Sequence, residues 1–155
     1  AVKASRISID LITDGFHVRN PMVALGMSMA PGRVAFVTDA MAATGCADGA
    51  YNLGALDVAV VDGHARLIAN GAIAGSTLTL EVAVQRAVKE LGIGLPDAIA
   101  AVTLTPARAI GLDGPNAITG APLGLVAAGY AADLLLLDPA TLSVDHVWCA
   151  GRPIR

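Results

Sequence analysis

The 155-residue sequence predicts a mixed α/β fold. The chain is 55% hydrophobic and 15% charged, which is typical of a packed globular domain and not of a disordered chain. Only 3% of its residues are aromatic, and its aliphatic side chains suit strands buried on both faces with helices packed over them. The front of the chain follows a strand, helix, strand order with short joints, which indicates a parallel α/β unit.

Each element of this front unit is bounded by ordinary start and stop signals. The first strand alternates in hydrophobicity and ends at an Asp-Gly turn signal. The helix begins at an Asn-Pro pair, with Asn20 expected as its N-cap, and ends before a Pro-Gly pair. The predicted ranges are residues 7–14 for the first strand, 21–30 for the helix and 34–38 for the second strand.

The remainder of the chain predicts a β-hairpin, three helices and two final strands. An Asp-Gly pair joins the hairpin strands at residues 56–61 and 65–67. The longest helix carries an apolar stripe at helical spacing, and Ser76 is expected to cap it. The predicted helices span residues 77–91, 96–102 and 106–111, and the final strands span residues 132–138 and 144–149.

Composition also argues against several classes of partner. The net charge of −3 and the scattered Lys and Arg residues predict neither a nucleic-acid nor a membrane partner. No apolar run reaches the roughly 18 residues of a membrane span, and no signal-peptide pattern begins the chain, so a cytoplasmic protein is expected. Cys46 and Cys149 lack a metal or redox spacing and are expected to be free, buried thiols.

Two carboxylates follow the two predicted parallel strands. Asp14 and Asp39 stand where the strands end, which is the edge that carries the site in parallel α/β folds, and His17 lies on the same loop as Asp14. Small residues follow Asp39 and leave room for a substrate, so Asp39 is a candidate general base. A turn or a helix cap is the alternative role for both carboxylates.

The remaining candidate groups give weaker predictions. His17, His64 and His146 are widely separated and form no close ligand pair, so the chain predicts no metal site of its own, and Asp39 alone stays open as a metal contact. His64 and His146 are expected to be structural or solvated. The Gly-rich residues 71–75 precede a predicted helix, where backbone N–H groups can hold an anion; a capped helix start is the alternative.

Chain length conflicts with a complete parallel barrel. An eight-stranded barrel takes about 250 residues, and two parallel strands alone would leave their edges exposed. We therefore expect either a small, different fold or a piece of a larger one.

Taken in order, several motifs resemble those of the N-acetylglucosamine-6-phosphate deacetylases of the amidohydrolase superfamily. They are LITDGFHV from residue 11, VTDAMA from residue 37, DGAYNLG from residue 48, IAGSTLT from residue 73, TPARAIGL from residue 105, and PLG at residue 122 followed by AADL at residue 131. The resemblance covers nearly the whole chain. Thr13, Arg19 and Ala72 depart from the family's frequent Asn, His and Thr.

The resemblance implies the C-terminal part of a (β/α)₈ TIM barrel together with part of a small β-sandwich domain. In this interpretation residues 1–50 hold barrel strands seven and eight with the active-site loops. Residues 51–70 form a β-hairpin that is inserted in the barrel or contacts the β-domain, residues 71–120 form the C-terminal barrel helices, and residues 121–155 form sandwich strands.

The resemblance also implies an activity and the residues that serve it. The reaction is hydrolysis of the acetamide of N-acetylglucosamine 6-phosphate to glucosamine 6-phosphate and acetate. Asp39 is the catalytic carboxylate, and His17 polarises the acetamide carbonyl. The substrate-binding residues are Asp14, Gly15, Phe16, His17, Ile73, Ala74 and Gly75.

The family's metal ligands, a Glu and two His, have no counterpart here. The resemblance therefore implies a divalent ion, zinc, with its principal ligands outside this chain, an inactive isolated chain, and a homodimer for the full-length protein. Two alternatives stay open. One is another amidohydrolase that acts on N-acyl amino acids or cyclic amides, and the other is a catalytically silent folding or assembly unit.

Overall fold

A computed structural model describes residues 7–154 and has the expected mixture of strands and helices. The elements, in chain order, are β1 (Ile9–Ile12), α1 (Asn20–Met29), β2 (Val34–Val37), β3 (Gly49–Leu53), β4 (Leu56–Val61), β5 (His64–Leu67), α2 (Leu80–Lys89), α3 (Leu95–Val102), α4 (Leu104–Ala109), β6 (Leu134–Leu137), β7 (Val144–Cys149) and β8 (Arg152–Pro153). The prediction of a mixed α/β chain is confirmed.

The front unit is a parallel strand pair with a helical crossover. β1 and β2 pair in parallel, with Leu11 opposite Phe36, and α1 connects them. Gly26 lets α1 approach the sheet closely, because a Cβ at this position would lie 3.2 Å from Leu11 Cδ1. This pair and three helices bury one apolar cluster. Its buried members are Val23, Ala30, Val34, Phe36, Leu78, Ala83, Val84, Ala87, Ala98 and Ala101.

A three-stranded antiparallel sheet follows, in the order β3-β4-β5. The turn between β4 and β5 places Asp62 at φ 51° and Gly63 at φ 74°, as the Asp-Gly signal predicts. The Asp48 carboxylate accepts the backbone N–H groups of both turn residues, at 2.5 and 3.1 Å. β3 was absent from the sequence prediction because it is a largely exposed edge strand without a clear apolar alternation.

Helix α2 begins later than its sequence predicts. Its N-cap is Thr79, whose side chain accepts the Val82 N–H, so the prediction of Ser76 as the cap is wrong. Residues 71–75 do not lead into a helix N-terminus but run beside β5, where Ala74 N donates to Ala65 O at 3.1 Å. The predicted anion cradle is therefore also wrong, because no helix starts at residue 76.

Two further capping and burial expectations fail. Arg19, not Asn20, stands at the α1 N-cap, and it makes no capping hydrogen bond through its side chain. Cys46 and Cys149 are free, as expected, but both are exposed and not buried. Cys149 ends β7 and pairs with Arg152 of the two-residue strand β8.

The chain ends in a second antiparallel sheet in the order β6-β7-β8. The Asp133 carboxylate accepts the Ala150 N–H at 2.8 Å and steadies the turn that follows β7. Within residues 7–154, no helix is both long enough and apolar enough to cross a membrane. The division of the chain into four structural regions remains a prediction.

Strand β4 offers a matched test of the antiparallel sheet's core, because Val58 is fully buried and Val61 is 62% exposed. We expect Val58→Ala to lower the free energy of unfolding by about 1.5–3 kcal/mol, since it removes buried methyl groups and leaves a cavity. Val61→Ala should change it by less than about 0.5 kcal/mol. Urea unfolding followed by circular dichroism measures both, and equal losses would contradict this packing.

Candidate active site

The carboxyl ends of β1 and β2 bring three predicted residues to one edge of the sheet. Because the strands are parallel and in register, Asp14 and Asp39 follow neighbouring strand ends. His17 lies between them. Its Nδ1 is 2.7 Å from Asp14 Oδ2, and its Nε2 is 3.9 Å from Asp39 Oδ2. The sequence prediction placed these residues at one edge, and the structure brings their side chains together.

Asp14 folds the loop that carries the histidine. Its Oδ1 accepts the backbone N–H groups of Phe16 and His17, both at 2.9 Å, which is an Asx-type turn. Its Oδ2 contacts the His17 ring, and an ionised carboxylate only accepts hydrogen bonds, so this contact requires a proton on Nδ1. The ring is thereby oriented with Nε2 toward Asp39.

The environment keeps Asp14 charged. Partial burial opposes ionisation, but the hydrogen bonds from His17 and Phe16, aided by the nearby imidazole, outweigh it and lower the pKa of Asp14 below its ordinary 3.8. The side chain is only 15% exposed, so this carboxylate is held by the protein more than by solvent. A fixed anion beside an imidazole is a common arrangement in acid–base sites.

Asp39 has an unusual backbone and an open side chain. Its φ of 50° is in the left-handed region, which non-glycine residues rarely adopt, and its side chain is 56% exposed. Its carbonyl accepts the Ser76 N–H at 2.7 Å, while the buried Ser76 hydroxyl donates to the Thr38 carbonyl. These bonds fix the backbone on both sides of a carboxylate that remains accessible.

The predicted residues Ile73, Ala74 and Gly75 reach the site unequally. Gly75 lies against the Asp39 backbone, because a Cβ at Gly75 would be 3.0 Å from the Asp39 carbonyl oxygen. Ala74 is buried and its N–H is bonded to Ala65, so it offers a ligand neither a side chain nor a free donor. Ile73 is 41% exposed and bridges to Arg66.

The aromatic ring of Phe16 ties the loop to the antiparallel sheet. It stacks on the His64 ring with centroids 4.5 Å apart, and the Arg66 guanidinium lies 4.7 Å from its ring centroid. His64 is thus exposed but in contact with a site loop, whereas His146 packs near Trp148 in the C-terminal sheet. Sequence reasoning missed Arg66, and only its position in the hairpin could have suggested it.

The described residues do not form a metal site by themselves. Across residues 7–154, no three His, Cys, Asp or Glu side chains lie close enough together to hold an ion. At the strand ends, His17 already uses Nδ1 for Asp14. Its Nε2 and the Asp39 carboxylate are left as possible metal ligands. Two protein ligands are fewer than the three or four that usually hold a catalytic or structural divalent ion such as zinc.

An apolar cavity of about 690 Å³ lies elsewhere in the chain. Residues of α2, α3 and α4 and of the first two strands of the C-terminal sheet line it, among them Val84, Ile99 and Leu134. Neither His17 nor Asp39 borders this cavity. Its lining has little polar chemistry to offer, so the strand ends are the better candidate for catalysis.

Comparison with known proteins gives consistent relatives. The chain is 36% identical over 147 residues to an Escherichia coli K12 protein provisionally named an N-acetylgalactosamine-6-phosphate deacetylase. The matched region covers 95% of this chain and 83% of that protein. It is 30% identical over 144 residues, 93% of this chain, to the N-acetylglucosamine-6-phosphate deacetylase of Vibrio furnissii. No family model matches.

Solved structures give the same result. The Pasteurella multocida N-acetylglucosamine-6-phosphate deacetylase superposes with a TM-score of 0.88 at 28% identity, over 98% of this chain and 38% of that one. A Mycobacterium smegmatis enzyme with an Asp-to-Ala substitution, in complex with N-acetyl-D-glucosamine 6-phosphate, gives 0.83 at 37%, over 98% and 39%. The chain thus spans about a third of most relatives, such as 34% of the Vibrio protein.

The lowered pKa of Asp14 makes a signed prediction about stability. The unfolded chain takes up the proton first on acidification, so the stabilisation from this carboxylate is complete above about pH 5 and is lost as the pH falls through 3.8 toward the folded-state pKa. We expect Asp14→Asn, which keeps an accepting oxygen for the turn, to be less stable than wild type at pH 6. The two proteins should converge as the pH drops below 3.8.

Thermal unfolding from pH 6 to pH 3 measures this difference. Asp138→Asn is a suitable control. The pKa of Asp138 is also lowered, chiefly by the Thr141 backbone hydrogen bond, but this residue lies at the end of β6, in a different sheet from Asp14. A constant gap between wild type and Asp14→Asn over this range would show that the charge of Asp14 does not contribute.

Proposed function

Because this chain belongs to the family of N-acetylglucosamine-6-phosphate and N-acetylgalactosamine-6-phosphate deacetylases, we propose that it carries part of the site that hydrolyses the acetamide of an N-acetylated hexosamine 6-phosphate. The products are the amino-sugar phosphate and acetate, and N-acetylglucosamine 6-phosphate is the leading substrate. The Mycobacterium smegmatis structure with that compound supports this choice.

One observation carries the proposal: the imidazole of His17 lies between two carboxylates at the ends of adjacent parallel strands, with Nε2 3.9 Å from Asp39. Two acidic groups in unlike environments suit a reaction that moves protons. Asp14 is held charged and fully hydrogen-bonded, so its role is to orient the ring. Asp39 is open and is free to exchange a proton.

Asp39 acts as the general base and then as the general acid. It takes a proton from the attacking water as the new C–O bond forms at the acetamide carbon. It returns that proton to the nitrogen as the C–N bond breaks, so the sugar leaves as a neutral amine. The left-handed backbone of Asp39, held by Ser76, keeps the carboxylate directed to solvent and substrate.

His17 polarises the carbonyl oxygen of the acetamide. Its Nδ1 proton is held by Asp14, so Nε2 donates a hydrogen bond to that oxygen only when the ring carries both protons. The fixed Asp14 carboxylate balances the charge of the doubly protonated ring. A donor directed at the oxygen stabilises negative charge as it develops there.

Substrate contacts are assigned to two loops. The first comprises Asp14, Gly15, Phe16 and His17, and the second comprises Ile73, Ala74 and Gly75. Gly75 is the best supported residue of the second loop, since it adjoins Asp39. Ala74 contributes at most its carbonyl, because its N–H is bonded to Ala65.

The divalent ion of this chemistry, proposed to be zinc, takes its principal ligands from outside this chain. The described donors do not suffice for it, so we derive no step from it, and we propose that the isolated chain is inactive. The match to the Pasteurella multocida structure covers 98% of this chain but only 38% of that one. We propose that β1 and β2 are the last two strands of a (β/α)₈ barrel and that residues 121–155 belong to a β-sandwich. We also propose that the full-length enzyme is cytoplasmic and homodimeric.

Asp39→Asn tests the proton-transfer role in the full-length enzyme with its metal bound. We expect kcat to fall about 10²–10⁴-fold, because the amide cannot accept the proton, while the metal content is unchanged. Asp97→Asn is the matched control, since this exposed carboxylate lies in the first turn of α3, and its kcat should stay within twofold. Retained turnover in Asp39→Asn would remove this residue from the mechanism.

A substrate panel tests the assignment of substrate class. We expect kcat/KM to be highest for the N-acetylated hexosamine 6-phosphates and at least 100-fold lower for N-acyl amino acids and cyclic amides. The latter lack the 6-phosphate, and the loss of a contact to a charged group costs several kcal/mol. The glucosamine and galactosamine epimers belong in the panel, since relatives of both names are similar to this chain. The panel uses the full-length, metal-loaded enzyme. Preference for an unphosphorylated amide would favour the other amidohydrolase activity, and no turnover at all would favour a silent assembly unit.

A further inference from the structure

An arginine on α2 lies beneath the loop that carries His17. Arg86 stands in the last turn of the helix, and its Nε donates to the Thr13 carbonyl at 3.0 Å, at the end of β1. Its Nη1 and Nη2 each lie 3.0 Å from a carboxylate oxygen of Glu90. The second of these nitrogens also reaches Asn20 Oδ1 at 3.5 Å. All three guanidinium nitrogens are therefore in use.

The same guanidinium is packed against the turn itself. A Cβ at Gly15 would collide with Arg86 Nη2, and Gly15 has a φ of 80°, which favours glycine. The side chain of Thr13 is buried, and its hydroxyl has no hydrogen-bond partner in the described part of the protein. The carbonyl of Thr13 is thus the group through which the end of β1 is fixed.

We propose that Arg86 is a positioning residue that sets the Asp14–His17 turn and, through it, the distance between His17 Nε2 and Asp39. The inference rests on the proposed function of this site and adds a residue that does not touch the substrate. Thr13 immediately precedes Asp14, so a shift of its carbonyl moves the Asx turn and the imidazole with it. Catalytic groups tolerate little misplacement, and about 1 Å can cost 10²-fold in rate.

Lysine cannot replace this arginine. The guanidinium is planar and presents donors in fixed directions to Thr13, Asn20 and Glu90 at once, whereas an ammonium is a single point on a flexible stem. Arg86→Lys should therefore resemble Arg86→Met in its effect on the loop while it retains the charge. This separates the geometry of the side chain from its electrostatic field.

The decisive experiment measures kcat for Arg86→Met in full-length, metal-loaded enzyme in two backgrounds, wild type and His17→Asn. If Arg86 acts through His17, the substitution lowers kcat about 10–100-fold in the wild type and less than threefold in His17→Asn. A merely structural residue would lower both by the same factor, and that result would overturn the proposal. Arg86→Lys repeats the test where Arg86→Met does not fold.

A second arm does not depend on activity. Hydrogen exchange of the Phe16 and His17 amides, which donate to Asp14, should become at least tenfold faster in Arg86→Met and in Arg86→Lys. Arg108→Met is the matched control, because it breaks an exposed ion pair with Asp113, and exchange at residues 16 and 17 should not change. Unchanged exchange in the Arg86 variants would overturn the positioning role.

The two arms separate the two ideas. Faster exchange in a wild-type-folded enzyme with no deacetylase activity would support the contact of Arg86 with the loop and refute the proposed function. Normal deacetylase activity of the wild-type enzyme would support the proposed function. If the Arg86 variants then showed unchanged exchange and equal losses of kcat in both backgrounds, the role of Arg86 would be refuted.

Discussion

The parallel pairing of β1 with β2 is the constraint on which the candidate site depends. Parallel neighbours end at the same edge of a sheet, so the register that aligns Ile12 with Val37 also aligns the residues that follow them. Asp14 and Asp39 are 25 positions apart in the chain but reach the same imidazole because of this pairing. The apolar crossover helix α1, packed on the strands, holds the register in turn.

Two polar residues of one segment hold the two strand ends. Ser76 is buried and bonds the backbone on both sides of Asp39, whereas Arg86 bonds the carbonyl that precedes Asp14. Ser76 is buried and Arg86 is partly buried, and polar groups withdrawn from water are costly unless paired; here the pairing satisfies both donors while it fixes the loops. The stretch from residue 76 to residue 86 therefore couples helix packing to the geometry of the site. Its apolar face packs in the core, and its polar groups contact the strand ends.

Local signals in the sequence predict much of this structure, but contacts distant in sequence do not appear in them. β7 and the Asp-Gly hairpin follow from patterns within a few residues, and the strand-end positions of Asp14 and Asp39 follow from the strand, helix, strand order. The predicted Ser76 cap is wrong because the helix begins only at Leu80, with Thr79 as its cap, while the Ser76 hydroxyl bonds the Thr38 carbonyl, 38 positions away in the chain. β3 is missed because an exposed edge strand needs no apolar alternation.

The contact between His17 and Asp14 also determines how the chemistry divides between this chain and the rest of the proposed enzyme. A ring nitrogen bonded to a fixed carboxylate orients the other nitrogen for hydrogen bonding, and this carboxylate is already occupied by two backbone N–H groups. The Asp14 carboxylate is therefore committed to this turn, and only His17 Nε2 and the Asp39 carboxylate remain as possible metal ligands among these three side chains. Under the proposed function, the strand ends would move protons and polarise a carbonyl, and the ligands of a divalent ion would lie on other strands of the proposed barrel.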